Sequence, residues 1–383
     1  MFGNRFENIR RGMAGMSMYA AVLLLPAVSA NAQMRFLGGD ISLLPSYETV
    51  GTSYRTPDGM TCDALGLFTG YAGWNAARVR LFVNPSSAPQ SNKDEGVCQD
   101  LEYVTALCRR VKAAGMSLML DLHYSDTWAD PGKQFTPMLW KDAGTETLCD
   151  SVYLYTVSVL SCLKANGVVP EQIQVGNEIT FGMLWPTGRV DPVKDDNWNV
   201  LAALLKSGVK ACRECCPGAK VIIHTEKAGE WNVTKSYYRK LDAFGVDYDI
   251  IGLSYYPMWH KSISNLDATL DSLAAAFPCK EVMIVETAFY YSHDNDVWIT
   301  NPSLHSELYE ISAAGQARFT RELVGMLGHH KNVTGLYWWF AEENENGRPV
   351  IKSWINRGLF DNHTGKALPA MTEFRKFLYP NGN

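Results

Sequence analysis

The chain has 383 residues, and its 35 Lys and Arg against 40 Asp and Glu give a formal net charge of −5. Apolar residues make up 46% and charged residues 20%, a composition that supports a sizeable hydrophobic core and excludes a disordered chain. The mild acidity offers no basic surface for nucleic acid or an anionic membrane. The 11 Trp and 18 Tyr exceed what such a core needs, so these aromatic residues call for a further use.

The first 32 residues are typical of a secretory signal peptide. Three arginines precede a short apolar run over residues 19–28, and a small-x-small cleavage site ends at Ala32. The run is too short to cross about 30 Å of hydrocarbon and contains Pro26, which argues against a transmembrane helix. We therefore expect cleavage after Ala32 and a secreted mature chain over residues 33–383, either periplasmic or extracellular, with no membrane-spanning segment.

Eight strand-like runs alternate with helix-like segments along the chain. The predicted strands are short, apolar or β-branched runs that end in polar residues: Arg35–Asp40, Ala77–Val83, Ser117–His123, Gln172–Glu178, Lys220–Glu226, Ile250–Tyr256, Val282–Thr287 and Gly335–Phe340. The predicted helices are Leu101–Ala114, Glu146–Asn166, Asn197–Cys212, Val233–Phe244, Ile263–Phe277 and Gly315–Leu327. This alternation favours an α/β fold with a parallel sheet, and eight repeats favour a single-domain (β/α)8 TIM barrel over an open doubly wound sheet.

Two glutamates stand at the ends of otherwise apolar strands. Glu178 ends the fourth strand in Val-Gly-Asn-Glu, and Glu286 ends the seventh in Ile-Val-Glu. In a (β/α)8 barrel these ends meet at the active-site face, on roughly opposite walls. Two facing carboxyls suit glycosidic cleavage, in which one holds a proton for the leaving oxygen and the other stays ionised. Either glutamate alone is more simply a salt-bridged loop carboxylate, but the pair, with Asn177 beside one, favours a glycosidase.

Several short segments together carry a family resemblance. They are Gly39–Ser42, Arg78–Arg80, Val83–Pro85, Ala113–Ser117, Leu120–Pro131, Val175–Ile179, Leu184–Pro186, Ser254–Pro257 and Val285–Thr287. The run LDLHYSDTWADP followed by VGNEI is the specific part. These segments resemble glycoside hydrolase family 53, the endo-β-1,4-galactanases, over nearly the whole mature chain. The resemblance implies endo-acting, retaining cleavage of galactan or type I arabinogalactan, with no cofactor needed for catalysis.

The resemblance also assigns roles to individual residues. The acid/base falls on Glu178, which needs a raised pKa that partial burial would supply, and the nucleophile falls on Glu286. Arg80 should lie near Glu286 and keep it ionised, since an opposite charge lowers a carboxyl pKa. Tyr255 or Tyr256 should donate a hydrogen bond to the same carboxylate, and the sequence leaves open which of the two faces inward.

Substrate contacts are expected around this pair. Asn177 should hydrogen-bond the sugar 2-hydroxyl in the −1 subsite. His123, Asp126 and His224 either bind hydroxyl groups or orient loops, and both interpretations stay open. Aromatic rings stack on the apolar faces of sugars, so Trp128, Trp185, Trp259, Trp339 and Trp354 are expected to line a groove, with Trp339 as the −1 platform.

A calcium ion, the oligomeric state and the partners are also predicted. Asp294 and Asp296 match half of a calcium loop after the seventh strand, which Asp361 could complete; a solvated acidic turn is the alternative. Such an ion would be structural. The expected partner is a polysaccharide, the expected state is a monomer, and no partner protein is indicated.

Three other functions compete with the galactanase hypothesis. A β-mannanase or β-glucanase would share the fold and the carboxyls, which do not read the identity of the sugar. A non-catalytic polysaccharide-binding barrel would share the groove but has no need of both glutamates. A metal-dependent hydrolase is suggested by Asp121, His123 and His224, but the sequence lacks a His-x-His on the first strand and a Lys on a middle strand.

Overall fold

Eight parallel strands form the centre of the protein in a computed structural model that describes residues 34–294 and 309–379. They are β1 (Phe36–Gly39), β2 (Ala76–Leu81), β3 (Ser117–Leu122), β4 (Gln172–Val175), β5 (Lys220–Thr225), β6 (Ile250–Tyr255), β7 (Glu281–Thr287) and β8 (Val333–Trp338). Consecutive strands from β2 to β8 are neighbours in the sheet, and β8 pairs with β1. A bridge between Asp40 and Arg78 joins β1 to β2, so the sheet closes into a barrel.

Helices follow most of the strands and pack on the outside of the barrel. The longer ones are α1 (Ala64–Gly70), α2 (Leu101–Ala113), α3 (Thr145–Ala165), α4 (Trp198–Cys215), α5 (Trp231–Ala243), α6 (Ile263–Ala276) and α7 (Ala313–His329). Short helices span Leu44–Thr49, Gln90–Lys93 and Pro257–His260. After β8, the 3₁₀ turns Pro369–Thr372 and Phe374–Phe377 pack against α7, where an eighth helix would otherwise lie.

Helix starts follow local capping chemistry. The side chains of Asp63, Asp100, Ser262 and Ser312 each accept a hydrogen bond from a backbone N–H in the first turn of α1, α2, α6 and α7. Such caps satisfy donors that a helix start leaves unpaired. The predicted (β/α)8 barrel is confirmed, and all eight predicted strands and six predicted helices exist, with ends that differ by a few residues.

The inside of the barrel changes from apolar to polar along the strands. Apolar side chains that include Ala76, Met119, Ile222 and Ile250 pack together at the start of the strands. Two residues beyond Ala76, Met119 and Ile222 stand the buried polar side chains of Arg78, Asp121 and His224. Gln174 of β4 belongs to the same layer, where it contacts Arg78 and Asp121. This polar layer lies directly below the carboxyl ends of the strands and supports whatever binds there.

Two features predicted from the first residues of the chain lie outside the described residues. The signal peptide over residues 1–32, and with it the boundary of the mature chain, therefore stays a prediction. Within the described residues, no helix has both the length and the apolar character required to cross a membrane.

Candidate active site

A cleft of about 540 Å³ opens at the carboxyl ends of the strands. It is lined by most of the residues expected there: His123, Trp128, Asn177, Glu178, Tyr256, Trp259, Glu286, Trp339 and Trp354. The volume falls in the range of ordinary ligand sites, about 300–1,000 Å³. The two glutamates singled out by their strand positions therefore share one cavity.

Glu286 is held by two neighbours on the barrel floor. Its Oε1 lies 2.9 Å from the Arg78 guanidinium, and its Oε2 accepts a hydrogen bond of 3.0 Å from the hydroxyl of Tyr256. Tyr255 instead donates to the backbone carbonyl of Lys261. Of the two tyrosines considered, Tyr256 is thus the one that faces inward and meets the carboxylate.

The expected contact between Arg80 and Glu286 is wrong. Arg80 lies one layer higher in the barrel, pairs with Asp40 at 2.8 Å and places its guanidinium 4.5 Å from the ring centre of Trp128. The physical reason is depth: the Glu286 carboxylate reaches down to the polar layer that contains Arg78, two residues before Arg80 on β2. Arg80 therefore supports the wall of the cleft and does not contact the carboxylate.

Arg78 is a buried hub of charge. Besides Glu286, its guanidinium contacts Asp40 at 3.1 Å and Asp121 at 2.8 Å, and it donates to the side-chain oxygen of Asn177 at 2.8 Å. Burial raises the pKa of Glu286 above its ordinary value, and Arg78 acts against that rise. One cation thus keeps the carboxylate charged in a site that disfavours charge.

Glu178 has the opposite surroundings. It follows β4 with a backbone φ of 48°, a left-handed conformation that is uncommon outside glycine and marks a constrained position. The hydroxyl of Ser254 donates to its Oε1 at 2.6 Å, which leaves Oε2 to carry a proton. Burial, then the charges of Glu286 and Glu226, raise the pKa of Glu178 well above its ordinary value.

The two carboxyls are therefore unequal. Burial and the neighbouring carboxylates favour the protonated form of Glu178, whereas Arg78 and the Tyr256 hydroxyl favour the charged form of Glu286. A protonated carboxyl and a carboxylate in one cavity are the two groups that retaining glycosidic cleavage needs.

The two histidines have different placements. His224 is fully buried below the site, with Nε2 2.8 Å from Ser254 Oγ and Nδ1 2.9 Å from Asn177 Oδ1. Burial holds its pKa well below the ordinary value, so the ring is neutral and orients its neighbours. His123 lines the cleft, with Nε2 2.9 Å from Asp121. The Nδ1 atom of His123 accepts a hydrogen bond of 3.2 Å from the backbone N–H of Ala129, so both of its ring nitrogens have protein partners. The contacts of both histidines favour the orienting role.

Aromatic rings form one wall of the cleft. Trp339 stacks on Phe340 with ring centres 3.7 Å apart, and Trp354 meets Trp339 edge-on at 5.6 Å. Trp128 stands 6.5 Å from Trp339. The neighbouring Trp338 is fully buried in the core, so the Trp-Trp pair splits between core and cleft. This wall offers flat apolar faces of the kind on which sugar rings stack.

These features match a known enzyme family. The sequence profile of Glycosyl hydrolase family 53 matches residues 36–374. This chain belongs to glycosyl hydrolase family 53 and is a glycosidase.

Relatives and solved structures agree with that membership. The chain is 34% identical over 339 residues to a probable arabinogalactan endo-β-1,4-galactanase A of Aspergillus fumigatus, covering 85% of this chain and 90% of that protein. The Ignisphaera aggregans GH53 catalytic domain superposes with a TM-score of 0.81 at 28% identity, covering 92% of this chain and 98% of that domain. Fungal β-1,4-galactanases superpose with a TM-score of 0.75 at 28% identity, covering 90% and 99%.

Besides Arg80, His224 and Tyr255, two further predicted substrate residues of this family 53 chain are absent from the lining of the cleft. Asp126 is buried and accepts a hydrogen bond of 2.8 Å from the backbone N–H of Met138, so it fastens a loop. The indole N–H of Trp185 donates to the carbonyl of Phe181, and the Arg189 guanidinium covers its ring at 4.4 Å. Both side chains are already engaged by the protein in structural contacts.

The described part of the chain contains two of the three predicted calcium ligands, Asp294 and Asp361. Asp361 caps its own turn by accepting from the backbone N–H of Thr364, and Asp294 pairs with His363 at 3.5 Å. Asp296 lies outside the described residues. Among residues 34–294 and 309–379, no three His, Cys, Asp or Glu side chains come together as a metal site.

Sequence reasoning missed four residues that shape the site. Arg78 and Ser254 hold the two carboxyls, and Glu226 and Lys227 line the cleft after β5. Strand alternation carried a signal for Arg78 and Ser254, because both share the inward parity of apolar residues on their strands. Glu226 also carried a signal, because it ends the predicted strand Lys220–Glu226 with the parity of Ile222 and His224, whereas nothing in the alternation indicated Lys227.

Proposed function

We propose that this family 53 glycosidase is an endo-acting, retaining β-1,4-galactanase that cleaves galactan and type I arabinogalactan. The observation that carries the proposal is the unequal pair in one cleft, Glu286 beside Arg78 and Glu178 among carboxyls and a serine hydroxyl. The relatives named as arabinogalactan endo-β-1,4-galactanases support the choice of substrate. The aromatic residues that line the cleft support a polymeric substrate.

The chemistry follows from the two protonation states. Glu178 donates its proton to the glycosidic oxygen while Glu286 attacks the anomeric carbon, and the sugar on the far side of that oxygen leaves as an alcohol. A galactosyl ester forms on Glu286. Glu178, now ionised, takes a proton from water as that water attacks the anomeric carbon, which frees Glu286 and restores the starting state. Two inversions give net retention.

Asn177 has a defined part in this sequence. Its side-chain oxygen is taken by Arg78, and its amide nitrogen donates to the backbone carbonyl of Ala129 at 2.9 Å. These contacts fix the orientation of the amide in the lining of the cleft. A hydrogen bond to the sugar 2-hydroxyl that strengthens as positive charge develops would lower the barrier.

The test compares polysaccharides side by side. Reducing ends released from β-1,4-galactan, β-mannan and β-glucan are measured with the wild type and with Glu286→Gln as an inactive control. We expect release from galactan with long oligosaccharides among the early products, which is the signature of endo cleavage. Preferential release from mannan or glucan would favour the alternative endo-glycanases, and release at the wild-type rate by Glu286→Gln would revive the binding-barrel hypothesis.

Location and assembly are part of the proposal. The leader over residues 1–32 supports a protein that acts outside the cytoplasm after cleavage following Ala32. Amino-terminal sequencing of the mature protein tests the cleavage point, and light scattering tests the monomer. A structural calcium ion stays a separate prediction. In this structure Asp294 pairs with His363, and Asp361 accepts from the backbone N–H of Thr364. A melting temperature that is unchanged in chelator would contradict the calcium prediction.

A further inference from the structure

A third carboxyl lines the cleft and takes no part in the mechanism above. Glu226 follows β5 and is 4% exposed. Its Oε2 accepts a hydrogen bond of 2.8 Å from the hydroxyl of Thr180. Its Oε1 is buried and, among the described residues, has no hydrogen-bond donor; the ammonium of Lys227 stays 3.7 Å away.

The Glu226 carboxyl does not stabilise the fold through its unpaired oxygen. A buried polar atom without a hydrogen bond costs free energy, and burial raises the pKa of Glu226 to about 7. A glutamine or an apolar residue would avoid that cost. An acceptor that is fixed on one oxygen and unused on the other, on the wall of a ligand cleft, is suited to a donor that arrives with the ligand.

The position of Glu226 identifies which part of the ligand it meets. Thr180 belongs to the 3₁₀ turn Ile179–Phe181, which begins directly after Glu178, so the Glu226 carboxyl is held two residues along the chain from Glu178. The charge of Glu226 also acts on the Glu178 carboxyl. Glu178 protonates the oxygen that leaves, and the leaving sugar must therefore lie against Glu178. Arg78 and Tyr256, which hold the nucleophile, stand on the other side of the scissile bond.

Lys227 completes a polar pair. Its ammonium lies between Glu226 at 3.7 Å and Glu230 at 3.4 Å, and its side chain is partly exposed at the cleft. Neither separation is a tight hydrogen bond, so the ammonium has donors left for a ligand. An unused acceptor beside an available donor matches the paired hydroxyl groups of a sugar ring.

We propose that Glu226 and Lys227 bind the hydroxyl groups of the sugar on the leaving-group side of the scissile bond. The inference rests on the proposed function, since it assumes that the cleft cleaves a polysaccharide. Glu226 acts there as a binding residue and Glu178 remains the acid.

The experiment compares two leaving groups. kcat/KM is measured on β-1,4-galactan and on a nitrophenyl β-galacto-oligosaccharide, whose leaving group carries no sugar hydroxyl. The variants are Glu226→Gln and Lys227→Met, with Glu102→Gln as the matched control that changes an exposed carboxyl on the outer helix α2. Rates are taken at the optimum of each variant's own pH profile, between the limb that reports ionisation of Glu286 and the limb that reports loss of the proton from Glu178. Thermal unfolding confirms that each variant is folded.

We expect both cleft variants to lose about 10- to 100-fold on galactan, the worth of a hydrogen bond to a charged group, and to stay within about twofold on the aryl substrate. Glu102→Gln should match the wild type on both. Equal losses on the two substrates would overturn the proposal, as would no loss on galactan. A loss that is explained by a shifted basic limb and vanishes at the optimum of the shifted profile would also overturn it, since Glu226 would then act only on the proton of Glu178.

Failure of the proposed function has a different signature. A wild type that cleaves mannan or glucan in place of galactan refutes the galactanase proposal, and the same comparison on that polymer with its aryl glycoside still decides the role of Glu226. A wild type that cleaves no polysaccharide overturns both proposals.

Discussion

Arg78→Lys is the substitution that separates the two arginines of β2. The Arg78 guanidinium spans contacts of 2.9 Å to Glu286 and 3.1 Å to Asp40 with different nitrogens. A lysine keeps the charge but has a single ammonium, which cannot serve both carboxylates at once. Arg80→Lys is the matched control, because Arg80 is equally buried on the same strand yet pairs with Asp40 and not with Glu286.

The magnitude follows from the bond that is lost. A hydrogen bond between charged groups is worth about 1.5–3 kcal/mol. At about 1.4 kcal/mol per tenfold, Arg78→Lys should lower kcat/KM by about 10- to 150-fold. Arg80→Lys keeps an ion pair with Asp40 and leaves the contact between Arg78 and Glu286 intact, so it should lower kcat/KM by less than about threefold.

The pH profile gives a second readout. Arg78 lowers the pKa of Glu286 against the effect of burial, so its loss raises that pKa. The acidic limb of kcat/KM, which reports ionisation of the nucleophile, should therefore move to higher pH in Arg78→Lys and stay in place in Arg80→Lys. Initial rates on galactan from pH 3 to 9, with melting temperatures as a folding check, measure both effects. A larger loss in Arg80→Lys, or a folded Arg78→Lys with an unmoved limb, would refute the reasoning.

Two further predictions concern hydrogen bonding and stability. Tyr256→Phe removes the bond to Glu286 and should lower kcat/KM by about tenfold with a rise in the acidic limb, whereas Tyr255→Phe should leave the pH profile unchanged. Burial, with the charge of Asp40, raises the pKa of Glu342 to about 8 from 4.5, so the folded state holds a proton that the unfolded chain releases between those values. Stability should fall as pH rises through that window, and Glu342→Gln should recover up to about 5 kcal/mol at pH 8 but nothing at pH 4 in urea unfolding; equal curves would contradict this.

Most of the barrel could be predicted because its signals are local. Near-continuous apolar strands alternate with amphipathic helices, and each period is readable without knowing the contacts. The pair Glu178 and Glu286 was also readable, since each carboxyl ends an apolar run. The ends of the strands were harder to predict. The predicted fourth strand runs to Glu178, but β4 ends at Val175 and a left-handed turn connects it to Glu178.

The contacts inside the barrel could not be read in the same way. Which of Arg78 and Arg80 meets Glu286 depends on how deep each strand sits in the barrel, and that is set by the stagger of all eight strands. The pairing of β6 and β7 shifts register between Leu253 and Ser254, which changes what faces Glu286. The surroundings of Trp185 could not be predicted for another reason, because loops fold by contacts such as its stacking with Arg189.

The most direct test of the account traps the nucleophile. Wild-type protein is incubated with a 2-fluoro β-galactosyl substrate that bears a good leaving group, and intact mass and peptide mapping locate the adduct. We predict one glycosyl group, attached to Glu286 and absent from Glu286→Gln. A label on Glu178 or Glu226, or turnover with inversion and no adduct, would contradict the assignment of Glu286 as the attacking carboxylate.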